Sequence, residues 1–209
     1  MESGIISNHI SKYVMAQCSS SWAFRGLGIP SIKNITNLFL VFCFIGTGLY
    51  GGIKEDVEKI IKSQYGDSIV FSMKKLSLGK QARIQIEHKV HQRFFKDFLY
   101  IWMIKQKNGE EVYGLLDNVK GLSMPITFLV FFDGKGQILN SHVIKYREPY
   151  GGEISSSKWN AQFIGRSEKS NFVVGDGIDG ISGATISVYS MATGVMKLSL
   201  LFPLIKSQL

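Results

Sequence analysis

The sequence predicts an α+β protein: a single N-terminal transmembrane helix followed by one domain with a central antiparallel sheet flanked by helices. Three observations carry this expectation. Residues 34–53 are 20 consecutive positions without a charge, centred on the apolar run Leu38 to Ile45. The middle of the chain holds strand-like segments around two glycine-containing turns. Helical periodicity brackets that region on both sides.

In order, residues 1–34 read as an N-terminal tail, 35–53 as the transmembrane helix, 54–65 as a juxtamembrane helix and 66–209 as the folded domain. At 1.5 Å per residue the uncharged stretch covers about 30 Å, the thickness of a bilayer core. A signal peptide competes, and Gly46, Gly48, Gly51 and Gly52 keep it open as a small-residue cleavage region. Its charged leader would be unusually long, so an uncleaved anchor is preferred. Gly48 and Gly52 also spell one G-x-x-x-G helix-pairing pattern. Lys12, Arg25 and Lys33 before the span balance Lys54, Lys59 and Lys62 after it, so charge does not set the orientation. Cys18 and Cys43 lie before and within the span, which leaves the redox compartment open.

Ile53 to Tyr65 reads as a charged helix with Val57, Ile60 and Ile61 on one side. Ala82, Ile86, Val90 and Phe94 recur every four residues and suggest a second, basic helix. Phe98–Lys105 and Glu111–Asp117 flank the turn Asn108-Gly109, a hairpin signal. Pro125–Phe132 and Gln137–Tyr146 flank Asp133 to Gly136 as a second hairpin, and Ser156–Phe163 suggests a short helix. A final helix is expected from Gly183, with Ile186, Tyr189, Thr193 and Met196 at helical spacing, Ala192, Val195 and Leu198 alongside, and Ser182 as N-cap. Phe94, Phe95, Phe98, Phe128, Phe131 and Phe132 fall on expected core faces. Residues 54–209 suffice for one domain with a sizeable core.

The net charge is +8, and residues 74–107 hold nine Lys or Arg against Glu87 and Asp97. Such a face suits lipid phosphates or an acidic redox partner, or is simply a solvated helix surface. No base-stacking motif accompanies the charge, which argues against nucleic acid.

The segment Asp179 to Ser187, DGISGATIS, places Thr185 at the start of the final helix. Free amides and the helix dipole make that position suited to an anion, and a phosphate needs no lysine there. Gly180, Gly183 and Ala184 add little bulk. At Asp179, Ser182, Gly183, Ala184 and Thr185 the chain resembles the FMN-binding domains that carry flavin through a phosphoester on threonine. Their motif is Asp, two variable positions, Ser or Thr, Gly, Ala, Thr, and this sequence has no departure from it. The stretch Tyr146 to Glu153, with Trp159, Gln162 and Phe163, resembles the same family's flavin-proximal Glu-Pro-Gly segment.

The resemblance, over roughly residues 65 to 200, implies FMN as cofactor, esterified to Thr185 by a separate FAD-using flavin transferase. It implies that Asp179, Ser182, Gly183 and Ala184 form the phosphate end and that Glu148, Gly151 and Gly152 shape the ring pocket. Tyr150 and Trp159 are the candidates for stacking, a packing role for Trp159 being equally open. It further implies a domain on the extracytoplasmic side and membrane or extracytoplasmic redox partners. Similar domains serve in the sodium-pumping NADH:quinone reductase and the ferredoxin-oxidising membrane complex.

Three other motifs compete. Gly175, Gly177 and Gly180 spell G-x-G-x-x-G, but no acidic residue follows Asp179 to hold a ribose, so they read as a loop. Ser182 with His142 upstream suggests a hydrolase, but Ala184 stands where the nucleophile elbow needs glycine. His88 and His91 beside Glu87 make a weak metal signal and read as surface histidines, while Asp179 is a possible magnesium ligand during flavin transfer. With little acid–base machinery and no catalytic residue singled out, the expectation is a membrane-anchored electron carrier. The alternatives are a subunit of an ion-translocating oxidoreductase complex and a tethered binding module with a vestigial flavin site.

Overall fold

The computed structural model describes residues 52–209. The expected tail, the cysteines and all but the last two positions of the expected transmembrane helix lie outside them. The described chain folds around a five-stranded antiparallel sheet whose strands lie in sequence order, β1 (Val70–Ser77), β2 (Phe98–Lys105), β3 (Glu111–Lys120), β4 (Pro125–Asp133) and β5 (Ile138–Lys145). This is the expected α+β class. Asn108-Gly109 turns β2 into β3, and Asp133 Oδ1 accepts from the amides of Lys135 and Gln137 to shape the turn into β5. β3 runs three residues beyond the expected Asp117.

β1 is an element that the periodicity did not reveal. It is an edge strand paired only with β2, and Leu76 is its single buried residue, so no alternating apolar pattern marks it. Helix α1 (Ile53–Tyr65) packs Val57 and Ile61, both fully buried, against Trp102, Ile104, Val112, Leu116, Leu129 and Phe131 on one face of the sheet. α2 (Lys80–Val90) buries Ile86 and Val90 on the other face. It stops at His91, whose φ of 54° is left-handed, and the chain then turns Phe94 inward. Its neighbour Phe95 is 50% exposed, a correction to the expected core face: on the irregular segment after α2 two adjacent rings cannot both point in.

A short stretch follows β5: a 3₁₀ turn (Gly152–Ser155), α3 (Ser157–Asn160) capped by Ser156, and a second 3₁₀ turn (Ala161–Phe163). The last helix, α4 (Thr185–Ile205), crosses the α2 face of the sheet and buries Val188, Met191, Ala192, Val195, Leu198, Leu201 and Phe202, with Ile186 and Tyr189 left exposed. By length and composition it is the one helix among the described residues apolar enough to cross a membrane, but 61% of its apolar window is buried in the domain, as in a core helix. Within this core Lys197 Nζ lies 2.9 Å from Asp117 Oδ2 on β3, donates to the Arg93 carbonyl at 3.1 Å and sits over the Phe94 ring. Burial pushes the Asp117 carboxyl up, against the opposing pull of Lys197.

Candidate functional site

The site lies where the N-terminus of α4 meets the segment that leaves β5. Ser182 does not cap the helix, contrary to expectation. The Ala184 amide donates to the Ile181 carbonyl at 3.1 Å and Gly183 has φ of 76°, so Ile181 to Ala184 form a turn that consumes Ser182 and Gly183. The helix therefore begins two residues later, with Ala184 as N-cap and no side-chain cap. Val188 is the first residue to close a helical bond, to the Ala184 carbonyl at 3.0 Å. The amides of Thr185, Ile186 and Ser187 have no acceptor among the described residues. They carry the positive end of a 21-residue helix, and Thr185, its first residue, is exposed.

These residues wall a cleft of about 230 Å³ whose other side is Leu122, Tyr146, Glu148, Pro149 and Tyr150. Two contacts fix the spacing of the walls. Gly151 has φ of 78°, and a Cβ built there would stand 2.2 Å from the Ala184 Cβ, so glycine is required at this crossing. Tyr146 Oη donates to the Tyr150 carbonyl at 2.6 Å and lies 3.2 Å from Ser187 Oγ. The two segments singled out in the sequence thus form one clasp, through contacts 33 and 41 positions apart.

Glu148 acts on the β3–β4 turn. Its Oε1 accepts from the amides of Met124 at 2.9 Å and Ser123 at 2.8 Å, which hold the carboxyl below its ordinary range. Its Oε2 has no partner among the described residues. The turn it fixes carries Leu122, which is 61% exposed at the cleft rim beside Tyr150 and Ile186, also exposed.

Asp179, Ser182, Gly152 and Trp159 do not line the cleft. Trp159 is buried against Phe163, and its indole N–H donates to the Asp179 carbonyl at 2.9 Å, while the Asp179 amide donates to Gln162 Oε1 at 2.7 Å. Asp179 is thereby pinned through its backbone, leaving its exposed carboxylate outside these bonds. Gly152 opens the 3₁₀ turn next to the clasp. The G-x-G-x-x-G glycines form a loop, not a strand-to-helix unit, organised by Arg166, which donates to the carbonyls of Gly177, Asn171 and Gln162. Sequence reasoning missed Arg166, Tyr146 as a clasp and the Lys197–Asp117 pair. A lysine within the Val195 to Phe202 run, apolar but for it and Ser199, was the available signal for the last. Among the described residues no three His, Cys, Asp or Glu side chains gather to hold a metal.

Residues 121–198 match the model of the FMN-binding domain family. The match spans just over a third of the chain, from the β3–β4 turn to the body of α4, and contains both walls of the cleft. It supports assigning this stretch to that family, with FMN as cofactor, and points to a flavin-binding electron-transfer protein. No curated protein matches the chain. The residues present fit the group: unpartnered helix amides suit a phosphate, and a glycine crossing holds the two walls close.

Proposed function

We propose that the chain is a membrane-anchored electron-transfer flavoprotein that carries FMN as a phosphoester on Thr185. One observation carries the reading: an exposed threonine hydroxyl stands on the first residue of a helix with three unpartnered amides, in a cleft walled by the Tyr146 to Tyr150 segment. The amides of Thr185, Ile186 and Ser187 would hold the phosphate. Leu122, Tyr150 and Ile186 would give the ring an apolar rim. Bound FMN supplies the redox chemistry, and the protein supplies placement and surroundings.

Attachment follows simple chemistry. The Thr185 Oγ1 attacks the flavin-side phosphorus of FAD, the P–O bond to the adenylate breaks, AMP leaves with its electron pair, and the hydroxyl proton is released. A flavin transferase would catalyse this, with Asp179 offering an oxygen ligand to a magnesium ion at that stage. Glu148, the one carboxylate lining the cleft, has an oxygen occupied by two backbone amides, which favours a relay over an enzyme with its own acid–base cycle. The uncharged stretch 34–53 would tether the domain, on the extracytoplasmic side, to redox partners in or beside the membrane.

Co-expression with an FAD-using flavin transferase, followed by intact-protein mass spectrometry and a denaturing gel under ultraviolet light, tests this. The wild-type band should fluoresce and carry the mass of one FMN ester, and Thr185→Ala should be dark. Asp179→Asn should load more slowly. A wild-type chain matured in a competent host that shows only the bare polypeptide mass would sink the ester.

A further inference from the structure

A second cavity, on the α1 face of the sheet, has no part in the flavin reading. It measures about 270 Å³ and is bounded by Ile53 and Lys54 at the start of α1, Met73 on β1, and Phe98, Tyr100 and Trp102 on β2. Phe95 and Lys96 stand at the same wall, and Phe95 and Met73 are exposed although apolar. Trp102 is 1% exposed, yet its indole N–H has no acceptor among the described residues. An unpaired buried donor is destabilising, so an acceptor supplied by a ligand would be rewarded.

The mouth is cationic. Lys54 and Lys96 line it, and Lys75 and Lys96 lie 3.9 and 5.1 Å from the centre of the Phe98 ring. Asp117, the one carboxylate that lines the cavity, is committed to Lys197; Glu58 is 3.7 Å from Lys54, and Asp97, between Lys96 and Phe98 in sequence, does not line it. The uncharged stretch 34–53 ends at Ile53, on the cavity wall. The inference rests on the proposed anchor: where that stretch spans the bilayer, Lys54, the next residue in sequence, falls beside the lipid head groups.

We propose that this cavity seats one anionic glycerophospholipid of the bilayer. Part of an acyl chain enters between α1 and the β1–β2 edge, the phosphate rests on Lys54 and Lys96, and an ester carbonyl, carried just below the phosphate, accepts from Trp102 Nε1. Bound there, the lipid would fix the domain's tilt on the membrane independently of the flavin.

The full chain in nanodiscs of phosphatidylcholine containing a phosphatidylglycerol with a photoactivatable diazirine in its acyl chain tests the site. Irradiation should give adducts on peptides bearing Met73, Phe95 or Phe98 to Trp102, several-fold more than the same probe on phosphatidylcholine gives. Lys54→Glu combined with Lys96→Glu should bring the yield down to the phosphatidylcholine level without changing the thermal midpoint. Equal labelling by the two lipids overturns the proposal. So does labelling confined to residues before Ile53, the result expected if the chain's own N-terminal segment or another protein fills the cavity. Success of a free diazirine fatty acid where the phospholipid fails also overturns it. None of these outcomes depends on whether Thr185 carries FMN.

Discussion

The two faces of the sheet are covered by helices of opposite character. α1 is charged and contributes two fully buried side chains, Val57 and Ile61, whereas α4 is apolar over most of its circumference and lies in the larger core. The α4 face also contains the buried ion pair and, at its end, the cleft. The difference teaches where each burden falls. The α4 face supplies most of the cohesion and positions one free helix terminus, while the α1 face is thin enough to leave a cavity beside a polar tryptophan. Stability and site placement share one helix, and three changes separate them.

The largest effect is expected at the ion pair. Lys197→Met leaves Asp117 buried without its cation, and such a loss costs about 3–5 kcal/mol. Replacing both partners, Lys197→Met with Asp117→Leu, should restore most of that stability. Urea denaturation of both variants checks it, and a double variant as unstable as the single would show that the pair does more than neutralise itself. Gly151→Ala comes next: its Cβ has no room against Ala184 and its φ is unfavourable, for about 1–3 kcal/mol, a typical overpacking cost. Flavin loading by the transferase should fall far more than the stability does, because the clasp opens while the core stays packed. Equal proportional losses would mean that the cleft is not a separable unit.

The smallest effect is a difference in acid sensitivity between the faces. On the α1 face burial lowers the His142 pKa below 6.5, so the unfolded chain takes up its proton first and stability falls as the pH drops from 6.5 toward the folded value. In the cleft the Glu148 pKa is lowered from 4.5, so its contribution is present above 4.5 and is lost as the pH falls through the folded value. Unfolding midpoints followed from about pH 7 to about pH 3 should therefore show two limbs. His142→Asn should remove the upper one, and Glu148→Gln should weaken the lower, to which Glu87, also lowered by its bonds to the Phe94 amide and Arg83, contributes as well.

Much of this was legible in the residues. α1 and β2 were readable to their ends because Val57 and Ile61, and the run Phe98 to Lys105, carry period and turn signals of their own. The phosphate-suited terminus was readable because Ser182-Gly183-Ala184-Thr185 is a contiguous motif. β1 was hidden because an edge strand buries a single leucine. The true helix start was hidden because Ser182, a good cap by type, is used up in the turn that Gly183 permits. The Gly151–Ala184 crossing and the Lys197–Asp117 pair join positions far apart in the chain, and no local pattern encodes such a meeting.

The strand order has a consequence for how the protein matures. Each strand hydrogen-bonds to its sequence neighbours, so β2 to β5 can zip up hairpin by hairpin as the polypeptide emerges, with β1 joining across α2. Thr185 sits on the last long element, which can settle only after the meander exists to receive it. With FMN on Thr185 as proposed, acquisition of colour would be a late event in biogenesis, a natural checkpoint that stalled molecules never pass.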